Sequence, residues 1–272
     1  MRISCFADEI SPKLYEQLRV MQELGIRWMD LRSCWDVGVL QLSDDQITVI
    51  RDMAKNAGIG IACIGSPIGK APLSDPEEKA LTQLRRAIHI AKLCDTPYVR
   101  IFAYHPGELE RAEARKIACE RLAQWAKIAE EEGITLVLEG TKATTCGTGE
   151  EIAELLGAIN SPNLKLAFDT AAFVAAGERP YTQSLPKVLP WLEYLHIKDC
   201  RLGENIRRIA GQGDGQIAQV LTALKEREDL FVSLEPHLSV SGAAGGFSGE
   251  PLFRAAHQAL VCILSDAGIQ YQ

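Results

Sequence analysis

The sequence lacks the features that mark several classes of protein. Its eight cysteines are scattered without a CxxC pair, which excludes a zinc ribbon or a small disulfide scaffold and predicts reduced thiols in a cytoplasmic protein. No apolar run approaches the roughly 18 residues of a membrane span, and the charged N-terminus "MRISCFADEIS" is no signal peptide. The formal net charge is -7, whereas nucleic-acid-binding surfaces are usually basic. We therefore expect neither a membrane nor a nucleic-acid partner.

The chain contains eight short β-like runs that alternate with segments of helical periodicity. The runs are "RISCFADE", "RWMDLRS", "GIACIGSP", "YVRIFAY", "TLVLEG", "KLAFDT", "YLHIKD" and "LFVSLEPH". No GxGxxG follows the first run, which weakens a dinucleotide-binding open sheet. Eight strand–helix units without a linker predict an α/β fold, a single (β/α)8 TIM barrel over residues 1–272.

Several helical segments begin with Ser or Asp followed by Pro, as in "ISPK" and "LSDPEE", and several end in Gly. These residues are typical helix boundaries, so we expect caps there. The segment "YTQSLPKVLPWLE" is the weakest predicted helix because two prolines interrupt it.

Side chains alternate between the two sides of a strand, and in four of the runs the two sides differ in chemistry. One side is apolar and is expected to pack under the helices: Leu136 and Leu138, Leu166 and Phe168, Leu195 and Ile197, Val232 and Leu234. The other side carries an ionisable residue at each C-terminal end: Glu139, Asp169, His196 and Glu235. In a barrel these ends meet at the face where active sites are built.

Three carboxylates brought together in a protein interior need a cation, because an unpaired buried charge is strongly disfavoured. Glu139, Asp169, His196 and Glu235 offer three oxygen ligands and one imidazole. This donor set predicts one divalent metal ion, with Mn²⁺ preferred and Mg²⁺ or Co²⁺ as alternatives. No organic cofactor is expected.

The chain resembles the xylose isomerase-like TIM barrels, in particular the sugar phosphate isomerase/epimerase group. The matching pieces are "LVLEG", "LAFDTAAF", "HIKD", "AGQGDGQI" and "LEPH", in the order and spacing of that family. The resemblance implies that Glu139, Asp169, His196 and Glu235 bind the metal. It also implies that Glu139 and Glu235 are the catalytic acid and base. The substrate would be a small carbohydrate, isomerised or epimerised through a metal-stabilised cis-enediolate, and the family often forms homo-oligomers.

Two departures from the ketose epimerases are visible. Ala172 stands where many carry a substrate-binding His, and Gly140 where several carry Asn. The main alternative is therefore a dehydratase of the same superfamily, acting on a keto-inositol or a dehydroshikimate-type substrate. An AP endonuclease would need more histidines and a basic surface, and a non-catalytic sugar-binding barrel would not need all four ligands.

Six further residues are candidates for substrate binding: Lys198, His237, Lys142, Glu9, Arg32 and His105. Lys198 shares the parity of His196 but could instead form a salt bridge, and Glu9 and Arg32 could pair with each other. The loops "GQGDGQ" and "GAAGGFSG" are either anion nests for a phosphate or mere turns and lids. Asp199 has the opposite parity from His196, so we expect a loop or capping role.

Overall fold

Eight parallel strands close into a barrel in this computed structural model, which describes residues 1–204, 206–239 and 246–272. The strands, named β1 to β8, are Arg2–Phe6, Trp28–Leu31, Gly60–Ile64, Tyr98–Ile101, Thr135–Glu139, Leu164–Asp169, Leu192–Ile197 and Phe231–Leu234. Each strand pairs with its neighbours in the chain, and β1 pairs with β8 to close the sheet. The predicted (β/α)8 fold is confirmed.

Helices follow the strands and cover the outside of the barrel. They are α1 Leu14–Leu24, α2 Asp44–Asn56, α3 Glu77–Leu93, α4 Arg111–Glu131, α5 Gly149–Ile159, α6 Thr170–Ala175, α7 Leu185–Val188, α8 Ile217–Ala223 and α9 Glu250–Asp266. The predicted weak helix is broken as its prolines require, since α7 lies between a π turn at Pro180–Ser184 and a 3-10 turn at Leu189–Trp191.

Helix α2 and helix α5 begin with capping boxes, formed by Ser43 with Gln46 and by Thr148 with Glu151. The caps expected in "ISPK" and "LSDPEE" were wrong. Helices α1 and α3 begin only after those prolines, and no side chain caps either one. The hydroxyl of Ser11 is instead bonded to the carboxylate of Glu16.

The predicted alternation of side chains is confirmed by the two apolar clusters of the barrel. All eight residues assigned to the outer side belong to the large cluster beneath the helices. The barrel interior holds a separate small cluster, consisting of Ala62, Cys63, Val137, Ala167, Tyr194 and Phe231. The inward positions beyond this cluster therefore form the C-terminal mouth of the barrel, where the ionisable residues lie.

All eight cysteines are free, in agreement with the expectation of reduced thiols. Within the described part of the chain, no helix is both long and apolar enough to cross a membrane.

Candidate metal centre and active site

Four predicted ligand residues meet at the C-terminal mouth of the barrel. Glu139 and Asp169 are the last residues of β5 and β6, His196 is the penultimate residue of β7, and Glu235 follows β8. One ligand atom from each lies within 4.8 Å of the other three. Each of the four residues is at most 3% exposed. The barrel thus concentrates three carboxylates and one imidazole in a dry pocket.

The imidazole of His196 is oriented towards two of the carboxylates. Its Nδ1 lies 3.3 Å from Oε2 of Glu139 and 3.4 Å from Oε2 of Glu235. Among the described residues this buried nitrogen has no hydrogen-bond partner. Edge contacts from Phe6 and Tyr194, with ring centroids 5.4 and 5.8 Å away, fix the ring plane. An unpaired nitrogen beside two carboxylate oxygens fits a divalent metal ion.

Lys198 joins this cluster and contacts three of the four ligand residues. Its Nζ lies 2.7 Å from Oδ2 of Asp169, 2.6 Å from Oε2 of Glu235 and 3.4 Å from Oε1 of Glu139. Burial alone would lower the pKa of Lys198, but the three carboxylates outweigh it and raise that pKa. The side chain therefore lies in the pocket, and its salt bridges are to the ligand residues themselves.

Arg100 is a member of the site that sequence reasoning missed. Its Nη1 lies 3.0 Å from Oε2 of Glu139 and 3.4 Å from Oε1 of Glu235. Burial alone would raise the pKa of each glutamate, but Lys198 and Arg100 hold both values well below the usual range. A signal was available, because Arg100 has the same parity as Tyr98, which packs against the interior cluster.

The Arg32 guanidinium links the predicted metal ligands to the 3-10 turn Ala7–Glu9 that follows β1. Its Nη1 lies 3.0 Å from Oε1 of Glu235, and its Nη2 lies 3.7 Å from Oε1 of Glu9. Glu9 and Arg32 therefore form the expected ion pair, although the distance between them is long. Asp8, which sequence reasoning missed, lies closer to Arg32 than Glu9 does. Its Oδ2 accepts a hydrogen bond from Nε of Arg32 at 2.8 Å and another from the hydroxyl of Ser33 at 2.6 Å.

His237 lies at the rim beside the same acids. Its Nε2 is 3.1 Å from Oε1 of Glu9 and 3.2 Å from Oε1 of Glu235, while its side chain stays 22% exposed. Its φ of 52° is uncommon for a residue other than glycine. Burial raises the pKa of Glu9 to about 7 and lowers the pKa of His237 to about 4. The partly exposed imidazole is thus available to a molecule entering the pocket.

Lys142 and His105 belong to the loops around the mouth. Lys142 is exposed, and its carbonyl oxygen accepts a hydrogen bond from Arg111. Nδ1 of His105 lies 2.8 Å from the carbonyl oxygen of Ala143 and joins the loops that follow β4 and β5. Neither side chain enters the ion-pair network of the described residues, so their predicted substrate contacts stay predictions.

The carboxylate of Asp199 occupies the loop "GQGDGQ", which the sequence analysis considered as an anion nest for a phosphate. Its carboxylate accepts hydrogen bonds of 2.9 to 3.0 Å from four backbone N–H groups, those of Cys200, Gly211, Gly213 and Gly215. A Cβ at position 213 would lie 2.3 Å from Oδ1 of Asp199, so glycine is required there. The loop role of Asp199 is confirmed, and the amides of "GQGDGQ" are occupied. The first half of the second glycine-rich loop, residues 242–245, lies outside the described residues.

The ion pairs of the mouth form one network with unequal charge. Its members are the carboxylates of Asp8, Glu9, Glu139, Asp169 and Glu235 and the cations Arg32, Arg100 and Lys198. Because the pKa of Glu9 is raised to about 7, this acid is only partly ionised at neutral pH, and five acids facing three cations leave an excess of one to two negative charges. A divalent ion would offset that excess, and buried charge is tolerated only when it is balanced.

The family model described as xylose isomerase-like TIM barrel matches residues 18–259. The chain belongs to this family. Among curated proteins, this xylose isomerase-like barrel is similar to an inosose dehydratase from Bacillus thuringiensis, strain Al Hakam. The two are 32% identical over 129 residues, which is 47% of this chain and 41% of the relative. The chain thus matches less than half the length of that relative.

Solved structures of the same fold cover nearly the whole xylose isomerase-like barrel. A D-psicose 3-epimerase with D-tagatose from Clostridium cellulolyticum H10 has a TM-score of 0.75 at 16% identity, covering 98% of each chain. The IolI protein with a bound zinc atom has a TM-score of 0.77 at 20% identity, covering 98% of this chain and 99% of its own. These likenesses confirm the architecture.

The two positions that depart from the epimerase pattern have defined local contacts in this xylose isomerase-like barrel. A Cβ at position 140 would lie 2.4 Å from Cδ1 of Ile152, so a side chain there would require Ile152 of α5 to shift. Position 172 lies in the first turn of α6, where its N–H donates to Oδ1 of Asp169 at 3.0 Å. Asp169 thereby caps α6 with one oxygen while the other contacts Lys198.

Proposed function

We propose that this protein is a divalent-metal-dependent dehydratase of a cyclic polyhydroxy ketone. The observation that carries the proposal is the contact of the Lys198 ammonium with Asp169, Glu235 and Glu139, inside the predicted metal site. Dehydration needs a base, a proton donor and stabilisation of an enediolate within one small space. The similarity to an inosose dehydratase supports the lyase over the isomerase or epimerase that the sequence favoured.

Glu139, Asp169, His196 and Glu235 would hold the metal ion. When bound, a divalent ion supplies electrostatic stabilisation for the negative oxygen that develops beside the ionising C–H bond. The excess of oxygen donors favours Mn²⁺, with Mg²⁺ or Co²⁺ as alternatives, over the zinc seen in the IolI neighbour.

The proton transfers follow from the contact between Glu235 and Lys198. Glu235 removes the proton from the carbon beside the carbonyl, and the electron pair forms the enediolate. The C–O bond at the next carbon then breaks, and the departing hydroxide takes a proton from Lys198 and leaves as water. Because Nζ of Lys198 lies 2.6 Å from Oε2 of Glu235, the captured proton can return to the lysine. The substrate has then lost one water, and the product is an absorbing enone.

Arg32 and His237 would position the ring at the mouth. Arg32 is held by Asp8, and His237 keeps an exposed edge beside Glu9. Both would contact the hydroxyls of a bound polyol from fixed positions, which is the role that the sequence predicted. A homo-oligomer and a cytoplasmic location remain expectations from the sequence.

A 3-epimerase is the second candidate, and the placement of the two glutamates favours it. Glu139 ends β5 and Glu235 follows β8, the two strands that flank the pair β6 and β7. Both carboxylates lie close to Nδ1 of His196. Two such carboxylates can remove a proton from one face of a carbon and return one to the other face.

Elemental analysis of the protein as purified and a turnover screen test the proposal together. The metal-loaded protein is incubated in heavy water with inososes, 3-dehydroshikimate and ketohexoses. We expect a cyclic ketone to lose water and give near-ultraviolet absorbance that disappears with a chelator. Deuterium uptake by a ketohexose without loss of water would establish the epimerase instead. No reaction of any substrate with any of the three metals would contradict both.

The Lys198→Met variant distinguishes removal of the α-proton from loss of the hydroxyl group. We expect dehydration to fall by about 10²–10⁴-fold, the usual contribution of a general acid, while deuterium exchange at the α-carbon continues. Glu193→Gln, at the opposite end of β7, serves as a control and should leave both reactions unchanged.

A further inference from the structure

Lys70 is a cation at the barrel mouth that the proposed chemistry does not use. It follows β3 in the loop that leads to α3 and is exposed as a residue. Its Nζ lies 4.2 Å from the centre of the Phe102 ring, within the range of a cation–π contact. The lysine therefore has a defined place above the end of β4.

The backbone around Lys70 is fixed by the end of β4. The N–H of Phe102 donates to the carbonyl of Ile68, and the N–H of Tyr104 donates to that of Gly69, both at 2.8 Å. Gly69 has a φ of 83°, and a Cβ there would lie 2.0 Å from the carbonyl oxygen of Phe102. Such a close approach leaves the loop little freedom, so the position of Lys70 is preorganised.

The Phe102 ring also contacts Arg100, which lies beside the predicted metal ligands. The guanidinium of Arg100 lies 5.0 Å from the same ring and donates to Glu139 at 3.0 Å. Surrounding protein atoms lower the pKa of Lys70 to about 8 by desolvation, and the charge of Glu139 opposes this effect. In residues 1–204, 206–239 and 246–272 no carboxylate forms an ion pair with Lys70. An ammonium group that no carboxylate pairs is stabilised by an anion that binds beside it.

We infer that Lys70 is a specificity-determining residue that binds a carboxylate on the substrate ring. Arg32, Arg100 and Lys198 are already bound by the carboxylates of the pocket, whereas Lys70 is not. This rests on the proposed dehydratase and narrows its substrate to a cyclic hydroxyketone that carries a carboxylate. The ring oxygens would face the metal ligands, and the carboxylate would face the loop after β3.

Direct binding tests the inference without turnover. The probes are 3,4-dihydroxybenzoate and catechol, a matched pair of rings with adjacent oxygens that differ by one carboxylate. Their dissociation constants are measured by calorimetry on the Mn²⁺-loaded protein. We expect the wild type to prefer the carboxylate by about tenfold to a hundredfold, as for a charge-assisted hydrogen bond.

Lys70→Met should remove this preference and leave the affinity for catechol unchanged, while Lys70→Arg should retain it. Lys127→Met, on the exposed face of α4, is the matched control and should behave as the wild type does. Equal affinities in the wild type, or a preference that survives in Lys70→Met, would overturn the inference. If the preference depends on Lys70 but no cyclic ketone is dehydrated, the proposed function fails and the carboxylate site stands.

Discussion

The two ends of the barrel interior are built from opposite chemistry on the same strands. The N-terminal end is filled by Val137, Tyr194 and Phe231, with Tyr194 and Phe231 stacked at 5.4 Å between ring centroids. Two residues further along, β5 and β7 carry Glu139 and His196, and Glu235 follows Phe231 by four residues, just after β8. A short step along the chain thus changes the interior from a packed apolar core to a pocket of ionisable groups.

Between the two ends lies a buried acid that is not part of the pocket. Asp30 accepts hydrogen bonds from Tyr194 at 2.5 Å and from Ser233 at 2.6 Å. Burial is the main cause that raises its pKa, and these hydroxyl groups oppose the effect. Asp30 is thus satisfied by neutral donors, whereas the acids above it are held by cations. The buried carboxylates differ in their partners, and the partners decide which of them are available for chemistry.

The largest effect on activity is expected for a substitution at the C-terminal end of the barrel interior. Glu235→Gln should lower kcat by about 10²–10⁴-fold, since it removes the proposed base, while the melting temperature changes little. The measurement is steady-state kinetics on metal-loaded protein together with thermal unfolding. Glu193→Gln is the matched carboxylate at the N-terminal end of β7, and an equal loss of activity in it would erase the distinction between the ends.

A substitution at the N-terminal end of the barrel interior should lower stability and leave metal binding intact. Phe231→Ala should lower the free energy of unfolding by about 3–5 kcal/mol, because it leaves a cavity among packed rings, and Phe231→Leu should cost less. Metal binding should be retained in both variants under conditions where they are folded. Denaturant unfolding and calorimetric titration with Mn²⁺ measure the two quantities. Loss of metal binding in folded Phe231→Leu would show that the ends are coupled.

Asp199 provides a smaller test at the edge of the pocket. Asp199→Asn places an amide group against backbone N–H donors, so we expect a loss of about 1–3 kcal/mol of stability. Hydrogen exchange of Gly211, Gly213 and Gly215 should accelerate before global unfolding, while their exchange in Asp214→Asn should change less. Unchanged exchange in Asp199→Asn would show that the loop does not depend on this carboxylate.

The smallest effect concerns Glu151, in the first turn of α5. Burial alone would raise its pKa, but hydrogen bonds from Arg111, Gly147 and Thr148 lower it to about 2. A lowered folded-state pKa stabilises the protein above the unfolded value near 4.3, and this stabilisation is lost as pH falls towards 2. Glu151→Gln should therefore be less stable than wild type at pH 6, by no more than about 1 kcal/mol because the group is partly solvated.

Urea unfolding at several pH values measures this difference, which should shrink from pH 5 to pH 2. Glu120→Gln, on the exposed face of α4, is the control. A difference that stays constant with pH would mean that the charge of Glu151 contributes nothing.

Much of the site was predictable because strand parity is a local property. Leu195 and Ile197 pack under the helices, and His196 faces the pocket, as their alternation requires. Arg100 was missed although its parity was informative, since a single Arg in a strand is not distinctive. Asp8 and Lys70 carried no comparable signal, because they lie outside the strands, in a 3-10 turn and a loop, where the direction of a side chain depends on the folded backbone.

The sequence by itself determined the number of barrel strands, the side of four of them that faces the interior and the four residues with metal-ligand chemistry. These follow from periodicity and residue type, which act within a few positions of the chain. Only the tertiary structure decided which cation meets which carboxylate. In the folded barrel Lys198 contacts the ligand acids, and the amides of the glycine-rich loop bind Asp199. Lys70 has no carboxylate partner among the described residues. The reason is that electrostatic energy depends on distances between residues far apart in the chain, and those distances exist only after the barrel has closed.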